Sequence, residues 1–201
     1  SIVLALDSSA HATAAANAVA RGLPGYSRKT ERPEAGLKVH ICPVWDDDGT
    51  VDADRLTILL EEIRYAARLV DTPTAELHTE AFVELARESA ALLGTEISVL
   101  EGEALAHAGL GGLWGVGKAA VHGPALVILD YTPKNLGPDT RTIGWVGKGI
   151  VYDTGGLSIK GKTGMPGMKT DMGSAAAVLA AFRAAVRLEP KHRLIALLCL
   201  A

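Results

Sequence analysis

The sequence predicts an α/β fold in which strands alternate with helices and the sheet is mostly parallel. Short apolar runs, such as residues 125–130 and 194–200, have the length and composition of buried strands. Longer stretches, most clearly residues 52–70 and 79–93, have the apolar spacing of amphipathic helices. Alternation of the two kinds of element favours strands joined by helical crossovers, which is the arrangement of a parallel sheet.

The first 70 residues are predicted to contain two strands and two helices. In chain order we expect a strand at 2–6, an alanine-rich helix at 10–21, a charged loop at 28–34, a strand at 37–44, an acidic turn at 46–50 and an amphipathic helix at 52–70. Pro24 and Gly25 end the first helix because both residues interrupt helical geometry. Pro73 disfavours helical backbone at Thr72, so the second helix ends near residue 70.

The rest of the chain also alternates between helices and strands. In order we expect a helix at 79–93, a strand at 96–100, a short helix at 101–108, a glycine-rich loop at 109–117, strands at 125–130 and 142–152, a helix at 173–188 and a strand at 194–200. Glu80 falls in the first turn of the first of these helices, and Gly94 follows its last turn. An early acidic residue and a glycine after the end are common helix boundary signals.

Composition and charge restrict the classes of function. Of the 201 residues 48% are hydrophobic, which is enough for a sizeable core. The net charge of −3 and pI of about 6.1 give no electrostatic reason to expect binding to nucleic acid or to an anionic membrane. Cys42 and Cys199 lie far apart in sequence, which fits a reducing, cytoplasmic compartment better than a disulfide scaffold.

Most of the functional information lies in residues 145–176, which read WVGKGIVYDTGGLSIKGKTGMPGMKTDMGSAA. Lys148, Asp153, Lys160 and Asp171 occur there within 24 residues, on a background rich in glycine. Burial of an ionised group is costly unless the group is paired or coordinates a metal. Carboxylates favour divalent ions such as Mg²⁺, Mn²⁺ or Zn²⁺, and a lysine can be a ligand only as the neutral amine. The segment therefore predicts a cation site.

This segment closely resembles the metal-binding core of the leucyl aminopeptidase family, whose members are di-metal peptidases. The resemblance is carried by the order and spacing of VGKG, YDTGG, SIK and TDMG, and GKGIVYDTGGLSIKGKT is closer still to the probable aminopeptidase-like branch. It implies that Lys148 is the amine ligand, Asp153 a carboxylate shared by both metals and Asp171 a further ligand. It also implies that Lys160 is a non-ligand lysine that polarises the scissile carbonyl, and that Met168 lines the pocket for the substrate side chain.

The resemblance further implies a metal-dependent aminopeptidase that acts on peptides, uses two divalent ions (Zn²⁺, Mn²⁺ or Co²⁺) and assembles as a homohexamer. It divides the chain into part of an N-terminal α/β domain at 1–51, a linker helix at 52–70 and the first portion of a catalytic α/β domain at 71–201. One position departs from the family, which commonly reads DMGG where this chain has Ser174 after Gly173. We expect local packing to differ there, because serine adds a side chain.

A second motif of the family, NTDAEGR, does not occur in these 201 residues. In the family it supplies an Asp and a bridging Glu to the metals and an Arg that holds bicarbonate, so the bicarbonate-binding Arg is absent here. We therefore expect that the 201-residue chain does not hydrolyse peptides on its own. The alternative function is that of a non-catalytic relative serving as a structural or assembly subunit.

Two glycine-rich patterns suggest nucleotide binding but lack its structural context. Residues 156–163 match G-x-x-x-x-G-K-[ST], yet Gly164 and Pro166 oppose the helix that a phosphate-binding loop requires. Residues 115–120 match G-x-G-x-x-A without a strand leading into them, so we expect a packing loop.

The remaining charged and histidine residues carry no clear motif. The six histidines are scattered without close ligand spacing, and each is expected to be a surface or core residue. Residues 46–48, all aspartates, are expected to form a solvated turn. Lys118, Lys162 and Lys169 are expected to be exposed charges.

Overall fold

A computed structural model describes residues 1–27 and 39–201 and divides into two compact units, Ser1–Arg68 and Leu69–Ala201. The division falls inside a single long helix, α2 (Ala53–Asp71). The predicted assignment of 71–201 to a catalytic portion stays a prediction. The predicted charged loop at 28–34 and the start of the predicted strand at 37–44 lie outside the described residues.

The first unit is built on two parallel strands. Its elements are β1 (Ile2–Leu6), a 3₁₀ turn (Ser9–His11), α1 (Ala12–Gly22), β2 (Ile41–Trp45) and most of α2. Three alanines of α1, spaced four residues apart, are fully buried: Ala12, Ala16 and Ala20. Alanine combines high helix propensity with a small side chain, so this face of α1 can pack closely.

Arg64 on α2 satisfies backbone groups at the end of α1. Its guanidinium donates hydrogen bonds to the carbonyl oxygens of Ala20, Leu23 and Pro24 at 2.8–3.0 Å. Carbonyls in the last turn of a helix have no partner within the helix, and a cation near that end also interacts favourably with the helix dipole. One side chain thereby fixes α1 against α2 within this unit.

The acidic turn is exposed, as predicted, but one of its carboxylates has a structural role. Asp47 accepts hydrogen bonds from the backbone N–H groups of Ser9 at 3.0 Å and Gly49 at 2.9 Å. The hydroxyl of Ser8 and these N–H groups lower the pKa of Asp47 to about 2. Asp47 therefore ties the turn to the start of the 3₁₀ turn before α1.

The second unit is a four-stranded sheet with helices. Its strands are β3 (Glu96–Glu101), β4 (Ala125–Tyr131), β5 (Thr142–Gly149) and β6 (Arg193–Leu200). Its helices are α3 (Thr79–Leu93), α4 (Glu103–His107), α5 (Gly111–Gly117), a 3₁₀ helix (Pro166–Thr170) and α6 (Gly173–Arg187). The strand order is β3-β4-β6-β5, and the largest buried side chains include Phe82, Leu105, Leu129, Leu179, Phe182 and Leu198. The predicted α/β class is confirmed.

The sheet of this unit is mixed in direction. β5 and β6 are parallel, whereas β4 is antiparallel to both β3 and β6. A parallel pair needs a crossover that returns the chain to the same end of the sheet, and α6 is such a crossover between β5 and β6. The connection from β4 to β5, residues 132–141, contains no helix, and β5 runs in the direction opposite to that of β4.

One predicted loop is wrong. Residues 109–117 were expected to form a glycine-rich loop, but Gly111–Gly117 is the helix α5. Its backbone bonds run from the N–H of Trp114 to the carbonyl of Leu110 and from the N–H of Lys118 to the carbonyl of Trp114. Glycine has low helix propensity, but Gly117 packs directly against Pro124, where a larger residue would clash. Tertiary packing therefore outweighs propensity in this segment.

The other boundaries differ from prediction by a few residues. α3 spans the predicted residues, and Gly94 follows it with a φ of 64°, a left-handed conformation that favours glycine. β5 ends at Gly149, where the ladder with β6 ends, rather than at residue 152. No helix among the described residues is both long and apolar enough to cross a membrane.

The packing of α6 on β5 requires glycine on the strand. A Cβ atom added to Gly147 would lie 2.6 Å from the Cα of Ala175 and 3.0 Å from the carbonyl oxygen of Ser174. A Cβ atom added to Gly149 would lie 3.2 Å from the Cβ of Ala175 and closer still to Leu200 and Cys199 of β6. The backbone of the first turn of α6 therefore rests directly on the backbone of β5. Ser174 itself is exposed, so the departure from the family motif is accommodated on the solvent side.

We expect Gly147→Ala to destabilise the protein by about 1–3 kcal/mol, the usual cost of overpacking a close contact. Gly144→Ala makes the same chemical change on the same strand, where no atom lies within 4 Å of the added methyl group. Urea unfolding of both variants measures the difference. Equal stabilities would show that the β5–α6 contact tolerates a side chain, contrary to this account.

Candidate metal centre

The close contact between β5 and α6 places Lys148 beside Asp171. Lys148 is the penultimate residue of β5, and Asp171 lies two residues before α6 begins. The Nζ atom of Lys148 is 3.2 Å from the Oδ2 atom of Asp171, with side chains 59% and 23% exposed respectively. In α/β sheets, ligands bind beyond the carboxyl ends of the parallel strands. Lys148 lies at the carboxyl end of β5, so a binding site is expected at this position.

The Oδ2 atom of Asp171 is poorly satisfied by the protein. It is shielded from solvent and has no hydrogen-bond partner among the described residues, because the Lys148 amine lies at ion-pair distance without hydrogen-bond geometry. Asp171 does not cap α6 either, since the N-cap residue is Met172 and no side chain caps the helix. The ion pair with Lys148 offsets part of the cost of shielding this oxygen from solvent, but no hydrogen bond completes its environment.

Asp153 and Lys160 form a second ion pair across a tight turn. The Oδ2 atom of Asp153 is 2.7 Å from the Nζ of Lys160, and its Oδ1 accepts the N–H of Gly155 at 2.8 Å. The N–H of Lys160 donates to the carbonyl of Thr154 at 2.8 Å, which closes the turn. Gly155 has a φ of 90°, and a Cβ there would clash with the carbonyl oxygen of Ser158. The turn therefore requires glycine at this position.

The two ion pairs are electrostatic neighbours. The hydrogen bond from Lys160 lowers the pKa of Asp153 most, followed by the hydrogen bond from the N–H of Gly155. The charges of Lys160 and Lys148 lower it further. Asp153 is therefore ionised at neutral pH and lies within the field of the lysine that pairs with Asp171. The structure thus brings together the four charged residues that the sequence singled out.

The 3₁₀ helix before Asp171 is anchored from two sides. Tyr152 donates a hydrogen bond from its hydroxyl to the carbonyl of Met165 at 3.1 Å. Lys169 donates from Nζ to the carbonyl of Asp71 at 2.8 Å and, less closely, to that of Val70 at 3.5 Å. These carbonyls belong to the last turn of α2, where a cation is favoured.

Of the three lysines that were expected to be exposed charges, one differs from the prediction. Lys169 is half buried and bonded, not the exposed charge that was expected, and only its position relative to α2 reveals this. Lys118 and Lys162 are exposed, as predicted. Met168, in the 3₁₀ helix, is half buried, and its role in a substrate pocket stays a prediction.

An open cavity of about 790 Å³ borders the second ion pair. Its lining includes Asp153 and the glycines that follow it, together with His78 and His122. Met168 is not among the described residues that line it.

The two histidines of this cavity were missed by sequence reasoning. They lie 44 residues apart, yet their rings stack with centroids 3.6 Å apart and Glu80 lies beside them. Glu80 and His78 flank the start of α3, and His122 comes from the segment after α5. No sequence spacing signals a contact between such distant segments.

The nucleotide-binding patterns have no matching structure among the described residues. No helix begins at Lys162 or Thr163, as a phosphate-binding loop requires. The pattern at 115–120 begins inside α5 and not after a strand, and Gly117 serves close packing as expected.

The donors near Lys148 fit a divalent cation. Two carboxylates and one amine converge there, and the unsatisfied Oδ2 of Asp171 is the observation that favours an ion over a purely structural ion-pair cluster. Oxygen ligands of this kind suit hard or borderline divalent ions.

The sequence is similar to those of known proteins. The profile of the cytosol aminopeptidase family, catalytic domain, matches residues 64–201. The probable aminopeptidase NPEPL1 of Mus musculus is 49% identical over 197 residues, which cover 94% of this chain and 37% of that protein. Leucine aminopeptidase 1 of Caenorhabditis elegans is 45% identical over 183 residues, which cover 91% of this chain and 36% of that protein. The chain thus spans less than two fifths of the length of these relatives.

Solved structures show the same similarity in three dimensions. Leucyl aminopeptidase from Trypanosoma brucei in complex with bestatin has a TM-score of 0.88 and 37% identity, covering 99% of this chain and 39% of that one. The bottromycin maturation enzyme BotP in complex with Mn has a TM-score of 0.78 and 32% identity, covering 99% of this chain and 43% of that one. The resemblance inferred from residues 147–163 and 170–173 is therefore confirmed, and the chain belongs to the cytosol aminopeptidase family.

Proposed function

We propose that the protein is a metal-dependent aminopeptidase that removes N-terminal residues from peptides, and that its metal ions bind within residues 148–171. The observation that carries the proposal is the solvent-shielded, unbonded Oδ2 of Asp171 beside Lys148, next to the Asp153–Lys160 pair. Membership of a peptidase family supports the same reaction class.

In this proposal three side chains are metal ligands. Asp171 and Asp153 contribute carboxylate oxygens, with Asp153 shared between two ions. Lys148 contributes its neutral amine, which requires that it first release the proton that pairs it with Asp171. The ion pairs seen in the protein chain, Lys148–Asp171 and Lys160–Asp153, would then be rearranged when metal binds.

We assign Lys160 a different role, in which it acts as an ammonium and not as a ligand. Its Nζ lies 2.7 Å from Asp153, and its side chain is 29% exposed. When a metal ion takes the Asp153 oxygen, the released ammonium can face the oxygen of a substrate carbonyl and stabilise the negative charge that develops there. Divalent ions bound beside it would supply Lewis acidity and a nucleophile near neutral pH.

Lys169 is a positioning residue in this arrangement. It ties the 3₁₀ helix that precedes Asp171 to the end of α2. Tyr152 holds the other side of the same segment. Together the two bonds fix the segment that carries Met168 and Asp171, and Met168 would line the pocket for the N-terminal side chain.

We propose the native ion, the cellular compartment and the assembly from the similarity of this chain to known proteins. A relative solved in complex with Mn makes Mn²⁺ the first ion to test, with Zn²⁺ and Co²⁺ as alternatives. The name of the family supports a cytoplasmic location. A homohexamer is proposed from family membership alone.

Asp171→Asn should weaken Mn²⁺ binding by about tenfold or more, because even residues that only support a metal ligand commonly cost that much. Asp139→Asn removes the same charge from an exposed position and should leave binding unchanged. Isothermal titration calorimetry of the purified chain measures both affinities. Equal affinities for the wild type and Asp171→Asn would contradict the assignment of Asp171.

Lys160→Ala should lower kcat by about a hundredfold to a thousandfold, the usual loss when one oxyanion donor is removed. Metal content, measured by plasma mass spectrometry, should change little. Hydrolysis of leucyl-p-nitroanilide by the natural full-length protein is the assay, with the exposed Lys162→Ala as control. Loss of metal with turnover preserved would overturn the role, and metal binding without any wild-type turnover would favour a non-catalytic subunit.

Lys169→Met should destabilise the protein by about 1 kcal/mol, since it removes a charged hydrogen bond to the end of α2. For a chain of this size the melting temperature should fall by about 2–4 °C. Mn²⁺ affinity should fall as well, and Lys169→Arg should restore much of both. Lys118→Met, at an exposed position, is the control. A normal Mn²⁺ affinity in Lys169→Met would limit this lysine to a structural role.

A further inference from the structure

We propose that His78, Glu80 and His122 form an additional transition-metal site, separate in its ligands from residues 148–171. The cation would be of the Zn²⁺ class, held by two imidazole nitrogens and one carboxylate oxygen. Two His and one Glu are a ligand set that proteins use for Zn²⁺ with a further coordination position open.

The distances are close to those of a tetrahedral site. The Nδ1 atom of His122 is 3.1 Å from the Oε2 atom of Glu80, and one ligand atom from each of the three residues lies within 4.8 Å of the others. Zinc bonds of about 2.0–2.2 Å place tetrahedral ligand atoms about 3.3–3.6 Å apart. The carboxylate–imidazole separation of 3.1 Å is slightly shorter than this range, and the other separations are at most 4.8 Å, so small side-chain movements would bring the three atoms into tetrahedral positions.

The environment of His122 is the main argument for a ligand. Its Nδ1 is shielded from solvent and forms no hydrogen bond with any described residue, although the carboxylate of Glu80 lies at ion-pair distance. An imidazole nitrogen that has neither water nor a hydrogen bond is costly. A cation placed between this nitrogen and the carboxylate would satisfy both atoms.

His78 presents an available lone pair. Its Nδ1 accepts the N–H of Ala81 at 3.4 Å, which requires that this nitrogen be unprotonated. The bond is long and therefore weak. The N–H of Ala81 is one of the first donors of α3, so water can replace the imidazole when the ring turns toward an ion.

Binding requires that the rings rotate. The planes of His78 and His122 are within 8° of parallel, whereas nitrogens that share one ion must direct their lone pairs to one point. The side chains of His122 and Glu80 are 41% and 63% exposed, which leaves room for this movement on the solvent side. The cluster is thus a site that closes on its ion, with an open position toward the cavity that both histidines line.

A purely structural explanation accounts for only part of the cluster. His78 caps α3, and the negative charge of Glu80 is favourable in the first turn of a helix. Neither fact explains why the ring of His122, from a segment 42 residues away from Glu80, stacks there with Nδ1 unsatisfied. A shared ion explains all three positions.

The ligand types also predict selectivity. Imidazole suits Zn²⁺, Co²⁺, Ni²⁺ and Cu²⁺, and Mn²⁺ binds most weakly in the divalent series. The carboxylate-rich site at 148–171 accepts Mn²⁺ more readily. Mn²⁺ therefore reports on the site at 148–171, and Zn²⁺ reports on the histidine cluster once the carboxylates of the first site are removed, so failure of one proposal leaves the other testable.

The test is a Zn²⁺ titration of the chain carrying Asp153→Asn and Asp171→Asn, which disable the first site. We expect one Zn²⁺ per chain, bound about tenfold or more weakly in His122→Ala and in the nearly isosteric Glu80→Gln. His107→Ala, at an exposed histidine outside the cluster, should not change the affinity. Circular dichroism verifies that each variant is folded.

Nuclear magnetic resonance of the wild-type histidines gives a second readout that needs no substitution. Zn²⁺ should shift the ring nitrogen signals of His78 and His122 together and spare those of His107. Mn²⁺ at equal concentration should broaden them much less than it broadens the signals of residues near Asp171. Zn²⁺ that leaves the His78 and His122 signals unmoved, or that binds equally well to His122→Ala, would overturn the proposal.

Discussion

The positions of Lys148 and Asp171 depend on how closely α6 approaches β5. Gly147 and Gly149 remove the side chains that would keep the helix away, so its first turn rests on the backbone of the strand. Asp171, two residues before the helix, is thereby carried to the end of the strand where Lys148 lies. A side chain larger than hydrogen at Gly147 would clash with the first turn of α6, which follows Asp171 directly in the chain. Glycine on the strand is thus a requirement of the site as well as of the fold.

The charges of the site are balanced before any ion binds. Two carboxylates face two ammonium groups, and each pair is partly exposed. Ion pairs at such positions contribute only about 0–1 kcal/mol, so the protein can fold without metal and still exchange these pairs for an ion at little cost. The exception is the Oδ2 atom of Asp171, which lies at ion-pair distance from Lys148 but accepts no hydrogen bond from a described residue. The cluster therefore holds its carboxylates in place while leaving one oxygen without a hydrogen bond.

Those parts of the fold and site that depend on local sequence could be predicted. The boundaries of α3 follow from Glu80 and Gly94, and the convergence of residues 148–171 follows from their spacing on a strand, a glycine turn and a helix start. Features set by long-range packing could not. Gly117 of helix α5 packs on Pro124, and Lys169 donates a hydrogen bond to a carbonyl group at the end of α2. Neither contact leaves a periodic pattern in the sequence.

The cavity beside Asp153 joins two sets of ligands of different chemistry. Asp153, from the carboxylate-rich set, lines this cavity, and so do His78 and His122, the two imidazoles of the other set. Oxygen-rich sets tolerate Mn²⁺, whereas imidazole nitrogens discriminate in favour of ions later in the divalent series. If both proposed sites bind, the difference in donors would favour a different ion at each site even though ligands of both line one cavity. Selectivity would then come from the donor atoms of each set, since a shared cavity exposes both sets to the same ions.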